Sequence, residues 1–68
     1  MNAQAVMAKV RAIVADSGLT QQEIGLRMGY PPKSARQSVS QFLKGTNPTV
    51  DVLKRFAEAM GVNIGKLL

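Results

Sequence analysis

The polar residues between Lys33 and Lys44 are amides, hydroxyls and cations, with no carboxylate among them. A glutamine amide can pair bidentately with adenine, an arginine or lysine with guanine, and a serine hydroxyl with base edges or phosphates. Helix faces that meet only solvent ordinarily mix glutamate with lysine. The composition therefore favours a surface that hydrogen-bonds to DNA, with an ordinary solvated face as the alternative.

Catalytic and metal-binding chemistry has few candidates in this sequence. The chain contains no cysteine and no histidine, which removes thiolate ligands and the commonest base at neutral pH. The four acidic residues are scattered at Asp16, Glu23, Asp51 and Glu58, without the pairing that a glycosidase or a metal site needs. We therefore expect no enzyme activity, no metal and no cofactor.

The net charge is +5, from nine lysines and arginines against four acids. Such a balance favours a nucleic acid or an anionic membrane surface as partner. A protein whose charge serves only its solubility can have the same composition. Apolar residues make up 46% of the chain, which is typical of a folded domain. Because there is neither a long apolar run nor a signal-peptide pattern, we expect no transmembrane span and a cytoplasmic protein.

Two helices are predicted before the polar segment. The first, over residues 3–16, has an apolar stripe formed by Val6, Val10, Ile13 and Val14. Gly18 is its expected C-terminal cap. Thr20 and Glu23 have the spacing of a capping box, which predicts a short second helix. Gly25 lies inside that helix and indicates that another helix crosses closely there.

The polar segment itself is predicted to be a third helix that ends at Gly45. The sequence allows two starts for this helix. In one, Ser34 is the N-cap and Gln37 stands at the capping-box position; in the other, the helix begins a turn earlier at Pro32. One face is apolar, formed by Ala35, Val39, Phe42 and Leu43. The polar side consists of Gln37, Gln41 and Lys44, flanked by Lys33, Ser34 and Ser40, with Arg36 at the edge of the apolar stripe.

A fourth helix is predicted after the Thr46–Thr49 loop, with Thr49 as its cap and Gly61 as its end. Its apolar stripe consists of Val50, Leu53, Phe56, Ala57 and Met60. Asn63 can cap a last turn that holds Ile64, Leu67 and Leu68. The prediction is an all-α fold of five short helices in one domain over residues 1–68.

An ordered set of short motifs runs through the chain: Leu19-Thr-Gln-Gln-Glu-Ile-Gly, Met28-Gly, Ser38-Val-Ser-Gln-Phe, Gly45-Thr-Asn-Pro-Thr, and Leu53 followed by Phe-Ala, Met-Gly-Val-Asn-Ile and Leu. Together they resemble the Cro/repressor (Xre-like, lambda-repressor-like) helix-turn-helix family, and the resemblance covers residues 3–68. It implies that helices 2 and 3 form the helix-turn-helix, that Gln21 contacts a phosphate and that helix 3 enters the major groove. Gly25 matches the small residue that lets helix 3 approach, and Gly29 matches the glycine that starts the turn.

The turn departs from the family pattern, because the stretch from Gly29 to Val39 is a few residues longer. The surplus falls in Tyr30-Pro-Pro-Lys-Ser. Either the turn is enlarged or helix 3 carries an N-terminal extension. Which residues near the start of helix 3 meet bases first therefore stays open. Tyr30 either packs against the domain or contacts DNA.

The resemblance and the polar face together give a set of expected DNA contacts. The candidate base readers are Arg36, Gln37, Ser40 and Gln41. The candidate contacts to the DNA backbone are Gln21, Lys33, Ser34, Ser38, Lys44, Thr46 and Asn47, helped by the amides at the starts of helices 2 and 3. We expect binding of a double-stranded DNA operator, with no chemistry and no small-molecule ligand.

One domain of this size offers a small interface, so we expect a homodimer, weak off DNA, on a pseudo-palindromic operator. Ile64 and Leu67 are the candidate dimer surface, with closure of the core as the alternative.

Because no second domain is evident, a Cro-like or accessory regulator of prokaryotic or phage origin is favoured over a full-length cleavable repressor. A protein-interaction module on the same fold, such as an antitoxin or a co-activator-type bridge, is the alternative function. A role at a membrane surface comes third.

Overall fold

The computed structural model describes residues 2–68 and places four α-helices and one 3-10 turn in them. The helices are α1 (Ala3–Ser17), α2 (Gln21–Arg27), α3 (Ala35–Lys44) and α4 (Val50–Met60). The described residues contain no strand, so the predicted all-α class is confirmed. The fifth predicted helix is only the 3-10 turn Ile64–Lys66.

Side chains at the helix starts satisfy backbone N–H groups that have no partner inside the helix. Thr20 Oγ1 accepts from the Glu23 N–H, and Glu23 Oε1 accepts from the Thr20 N–H, each at 3.1 Å. The predicted capping box of α2 is therefore confirmed. Thr49 and Asn63 also cap as predicted, and Asn2, which was not predicted as a cap, holds the start of α1.

All four helices and the 3-10 turn contribute to one apolar core. Its buried members are Val6, Met7, Val10, Ile24, Met28, Val39, Leu53, Phe56, Ala57 and Leu67. Helix α3 is joined to α4 by the rings of Phe42 and Phe56, whose centroids are 5.6 Å apart at a tilted angle of 52°. This packing holds the apolar side of α3 inside and leaves its polar side outside.

Every residue assigned to the apolar stripes of α1, α3 and α4 is buried or half-buried except Val50. Val50, assigned to the stripe of α4, is 56% exposed, because the first residue of that helix projects beyond the core. Met7, which was not assigned to the stripe of α1, is only 1% exposed. It lies one position from Val6 and widens the buried face of α1.

The C-terminal turn closes the core. Leu67 is completely buried, and Ile64 is half-buried and packs against the same cluster. The sequence left two roles open for this turn, a dimer surface and closure of the core. For Leu67 closure of the core is correct, because its side chain presents no surface to a partner. None of the helices in residues 2–68 combines the length and the apolar character needed to cross a membrane.

Candidate nucleic-acid interface

Helix α3 crosses α2 at a glycine. A Cβ atom placed on Gly25 would lie 2.6 Å from the carbonyl carbon and 2.7 Å from the Cβ of Ala35. These distances are shorter than any relaxed contact between carbon atoms, so only glycine permits this approach. The close crossing predicted from Gly25 is confirmed, and it sets how deeply the first turn of α3 lies against α2.

The connection between the two helices is the enlarged turn of residues 28–34. Gly29 has φ of +93°, which favours glycine, and the Tyr30 N–H bonds back to the Gly25 carbonyl at 3.0 Å. Tyr30 is half-buried against the core, as the packing alternative expected. The surplus residues therefore belong to the turn and do not extend α3.

The predicted N-terminal signals of α3 were partly wrong. The helix does not begin at Pro32, since its first helical residue is Ala35. Ser34 is the N-cap residue, but its side chain makes no cap hydrogen bond; its hydroxyl lies 3.5 Å from the Pro31 carbonyl instead. The capping box with Gln37 is therefore absent from this turn.

Gln22 from α2 supplies the missing cap. Its Oε1 accepts from the Arg36 N–H at 3.2 Å, and its Nε2 donates to the Pro32 carbonyl at 3.1 Å. Sequence reasoning missed this residue because its partners lie 10 and 14 positions away, outside the reach of any local capping pattern.

Arg11 from α1 holds the other end of α3. Its Nε donates to the Leu43 carbonyl at 3.0 Å and its Nη2 to the Gly45 carbonyl at 3.5 Å. A cation at a helix C-terminus also complements the helix dipole. Arg11 is not among the residues assigned to the apolar stripe of α1, and no local pattern signals its partners, which lie 32 and 34 positions away. Both ends of α3 are thus tied to other helices by side-chain hydrogen bonds.

The outward side of α3 forms one wall of a shallow concavity of about 530 Å³. Its lining residues are Gln21, Arg36, Gln37, Ser40, Gln41 and Lys44. All four predicted base readers therefore share one surface with two of the predicted backbone contacts. None of the lining residues is acidic. Gln21 and Ser40 are half-buried, whereas Arg36, Gln37, Gln41 and Lys44 are exposed.

The remaining predicted backbone contacts lie elsewhere. Ser38 and Asn47 line a second cavity of about 360 Å³ between the enlarged turn, α3 and the loop before α4. Gln41 lines both cavities, so the two are adjacent. Neither cavity is lined by Lys33, Ser34 or Thr46. Lys33 and Thr46 are exposed, and Ser34 is half-buried.

The carboxylate of Glu23, in the first turn of α2, takes part in the capping box. Its hydrogen bond with the backbone N–H of Thr20 is the main cause that lowers the pKa of Glu23 below its ordinary value, and the hydrogen bond with the Thr20 hydroxyl is the second cause. The carboxylate is held at the helix start, where it complements the dipole.

Within residues 2–68, no cluster of three or more acidic, histidine or cysteine side chains could hold a metal ion. The chemistry available at the concavity is hydrogen bonding and charge attraction.

Comparison with known proteins agrees with this geometry. A family model described as helix-turn-helix matches residues 10–67, which is most of the chain. No curated protein and no solved structure matches this chain. The matched range contains both helices of the Gly25 crossing, the enlarged turn and the concavity. The chain therefore belongs to the lambda-repressor-like (Xre) helix-turn-helix family of DNA-binding regulators, with α2 and α3 as its helix-turn-helix.

Proposed function

We propose that the protein binds double-stranded DNA in a sequence-specific manner, with α3 in the major groove. The base readers of this proposal are Arg36, Gln37, Ser40 and Gln41. The observation that carries it is the acid-free concavity, in which these four side chains share one surface backed by the buried apolar core. Arginine and glutamine offer the bidentate pairing that distinguishes guanine and adenine in the major groove.

The DNA backbone is contacted by residues around the base readers in this proposal. Gln21 and Lys44 line the concavity together with the base readers, and Ser38 and Asn47 line the adjacent cavity. Lys33, Ser34 and Thr46 complete the set on the turn and on the loop after α3. Such contacts set the register of the protein on the duplex, whereas base contacts select the sequence.

The form of the regulator that we favour is a Cro-like repressor that binds a pseudo-palindromic operator as a homodimer. The domain measures 32 × 20 × 19 Å. Half-sites one helical turn apart are separated by about 34 Å, so two such domains fit side by side on one face of the duplex. The dimer surface, the operator and the cytoplasmic location remain predictions.

Selection of bound sequences from a random DNA pool tests the proposal. We expect an enriched site with two-fold symmetry and half-sites about one helical turn apart. Gln41→Ala should relax the base preference at one position per half-site and cost about 1–3 kcal/mol on the best site. If Gln41→Ala weakens every sequence equally, Gln41 contacts the DNA backbone rather than a base.

Salt dependence separates DNA binding from a protein-interaction module on the same fold. A DNA-binding domain should be retained on heparin, and its affinity should fall steeply with salt. Weak retention without a salt slope, together with no enriched site, would support the interaction module instead.

A further inference from the structure

Gln22 connects three parts of the helix-turn-helix through one amide group. It is half-buried in the first turn of α2. Its oxygen accepts from the Arg36 N–H in the first turn of α3, and its nitrogen donates to the Pro32 carbonyl in the enlarged turn. An amide has both a donor and an acceptor, so a single side chain can hold both segments at once.

The enlarged turn is held to α2 at its start, where the Tyr30 N–H donates to the Gly25 carbonyl at 3.0 Å, but its last residues before α3 depend on other contacts. Pro31 and Pro32 have no N–H, so neither can donate a backbone hydrogen bond. The backbone bond from the Ser34 N–H to the Pro31 carbonyl, at 3.0 Å, closes the turn on itself. The Ser34 side chain does not cap α3. Gln22 is therefore the side chain that ties the start of α3 to α2.

We infer that Gln22 is a positioning residue for base reading by the N-terminal half of α3; this inference rests on the proposed function. Arg36 and Gln37 lie in the turn that Gln22 caps. Gln41 lies more than one turn further on, beyond Val39, which is completely buried. Loss of the Gln22 hydrogen bonds frays the first turn and spares the second half of the helix.

The test uses Gln22→Met, which keeps the length and helix propensity of the side chain but removes both hydrogen bonds. The matched control is Gln4→Met, at an exposed position of α1. Arg36→Ala and Gln41→Ala first assign which base pairs of the selected site each residue reads. Competition binding with single-base variants of the site then measures the preference at each position.

We expect Gln22→Met to lower the preference about 3- to 10-fold at the base pairs assigned to Arg36, and to leave those assigned to Gln41 unchanged. The control should match the wild type at every position. Uniform weakening with an unchanged preference pattern would overturn the inference, because Gln22 would then act only on stability or on the DNA backbone.

Amide hydrogen exchange tests the same hydrogen bond without DNA. The Arg36 amide should exchange about 3- to 10-fold faster in Gln22→Met, while the Val39 amide keeps its rate. Gln22→Glu keeps an acceptor for the Arg36 N–H and should preserve its protection. Equal Arg36 exchange in the wild type and in Gln22→Met would overturn the capping role.

The two hypotheses fail in different ways. A wild-type protein that binds all sequences alike refutes the proposed function, and with it any role of Gln22 in base reading. A wild type that discriminates between sequences, beside a Gln22→Met variant with an unchanged pattern, refutes the inference about Gln22 alone.

Discussion

The substitution Gly25→Ala sets helix propensity against packing at the crossing of α2 and α3. Alanine in a helix interior is about 1 kcal/mol more favourable than glycine, so propensity alone predicts a more stable protein. The added Cβ, however, would lie 2.6 Å from the Ala35 carbonyl carbon. Because that atom belongs to the backbone, no rotamer change of a side chain relieves the overlap.

The packing term should exceed the propensity term. Relaxed carbon atoms are about 3.5–4.0 Å apart, so α3 has to move away from α2 by roughly 1 Å. Overpacking in a close-packed interior costs about 1–3 kcal/mol, and backbone overlap belongs at the upper end of that range or beyond it. After subtraction of the propensity gain of about 1 kcal/mol, we expect Gly25→Ala to lower the free energy of unfolding by about 2 kcal/mol.

Urea unfolding followed by circular dichroism measures this difference, with DNA affinity as a second readout. Ala12→Gly, at an exposed position of α1, calibrates the propensity term in the same protein. We expect that control to lose about 1 kcal/mol and to keep DNA binding. A Gly25→Ala protein that is more stable than the wild type would refute the argument, because α3 would then move away at negligible cost.

Two further predictions concern charge. Lys44→Ala should weaken binding to all sequences and reduce the slope of log affinity against log salt by about one; an unchanged slope would show that Lys44 is only solvated. The pKa of Glu23 is lowered in the folded state, so its capping contribution is fully present above the ordinary glutamate pKa and is lost as pH falls through the folded value. Glu23→Gln should therefore flatten the acid side of the stability profile, measured by urea unfolding between about pH 2 and 6. A variant whose acid-side profile matches the wild type would contradict the role of this carboxylate.

The start of α2 could be predicted because its determinants are local. Thr20 and Glu23 are three positions apart, and their reciprocal hydrogen bonds form in any chain that begins a helix there. The same holds for Thr49 and Asn63, whose side chains cap N–H groups two or three positions ahead. The start of α3 was mispredicted by the same rule, because the Ser34 side chain makes no cap hydrogen bond and Gln22 serves that turn.

The buried side of α3 was also predictable, since helical periodicity and apolar character place Ala35 and Val39 inward in any compact arrangement. Its polar composition followed from the residue types alone. Periodicity treats each helix separately, however, and cannot give the exposure of a residue at the end of a helix. Val50 was therefore misassigned, and only the packed structure shows that Leu67 belongs to the core.

The sequence by itself determined the four α-helices, the N-caps of α2 and α4, the acid-free face of α3 and the glycine at which α3 can approach α2. Only the tertiary structure decided how that face is held: Gln22 caps its start and Arg11 binds its last carbonyls. It also decided that the base-reading candidates share one concavity with Gln21. The physical reason is the separation along the sequence over which each kind of interaction acts. Capping and periodicity act within a few residues, whereas these contacts join positions 10 to 34 residues apart, and only packing of the whole core brings them together.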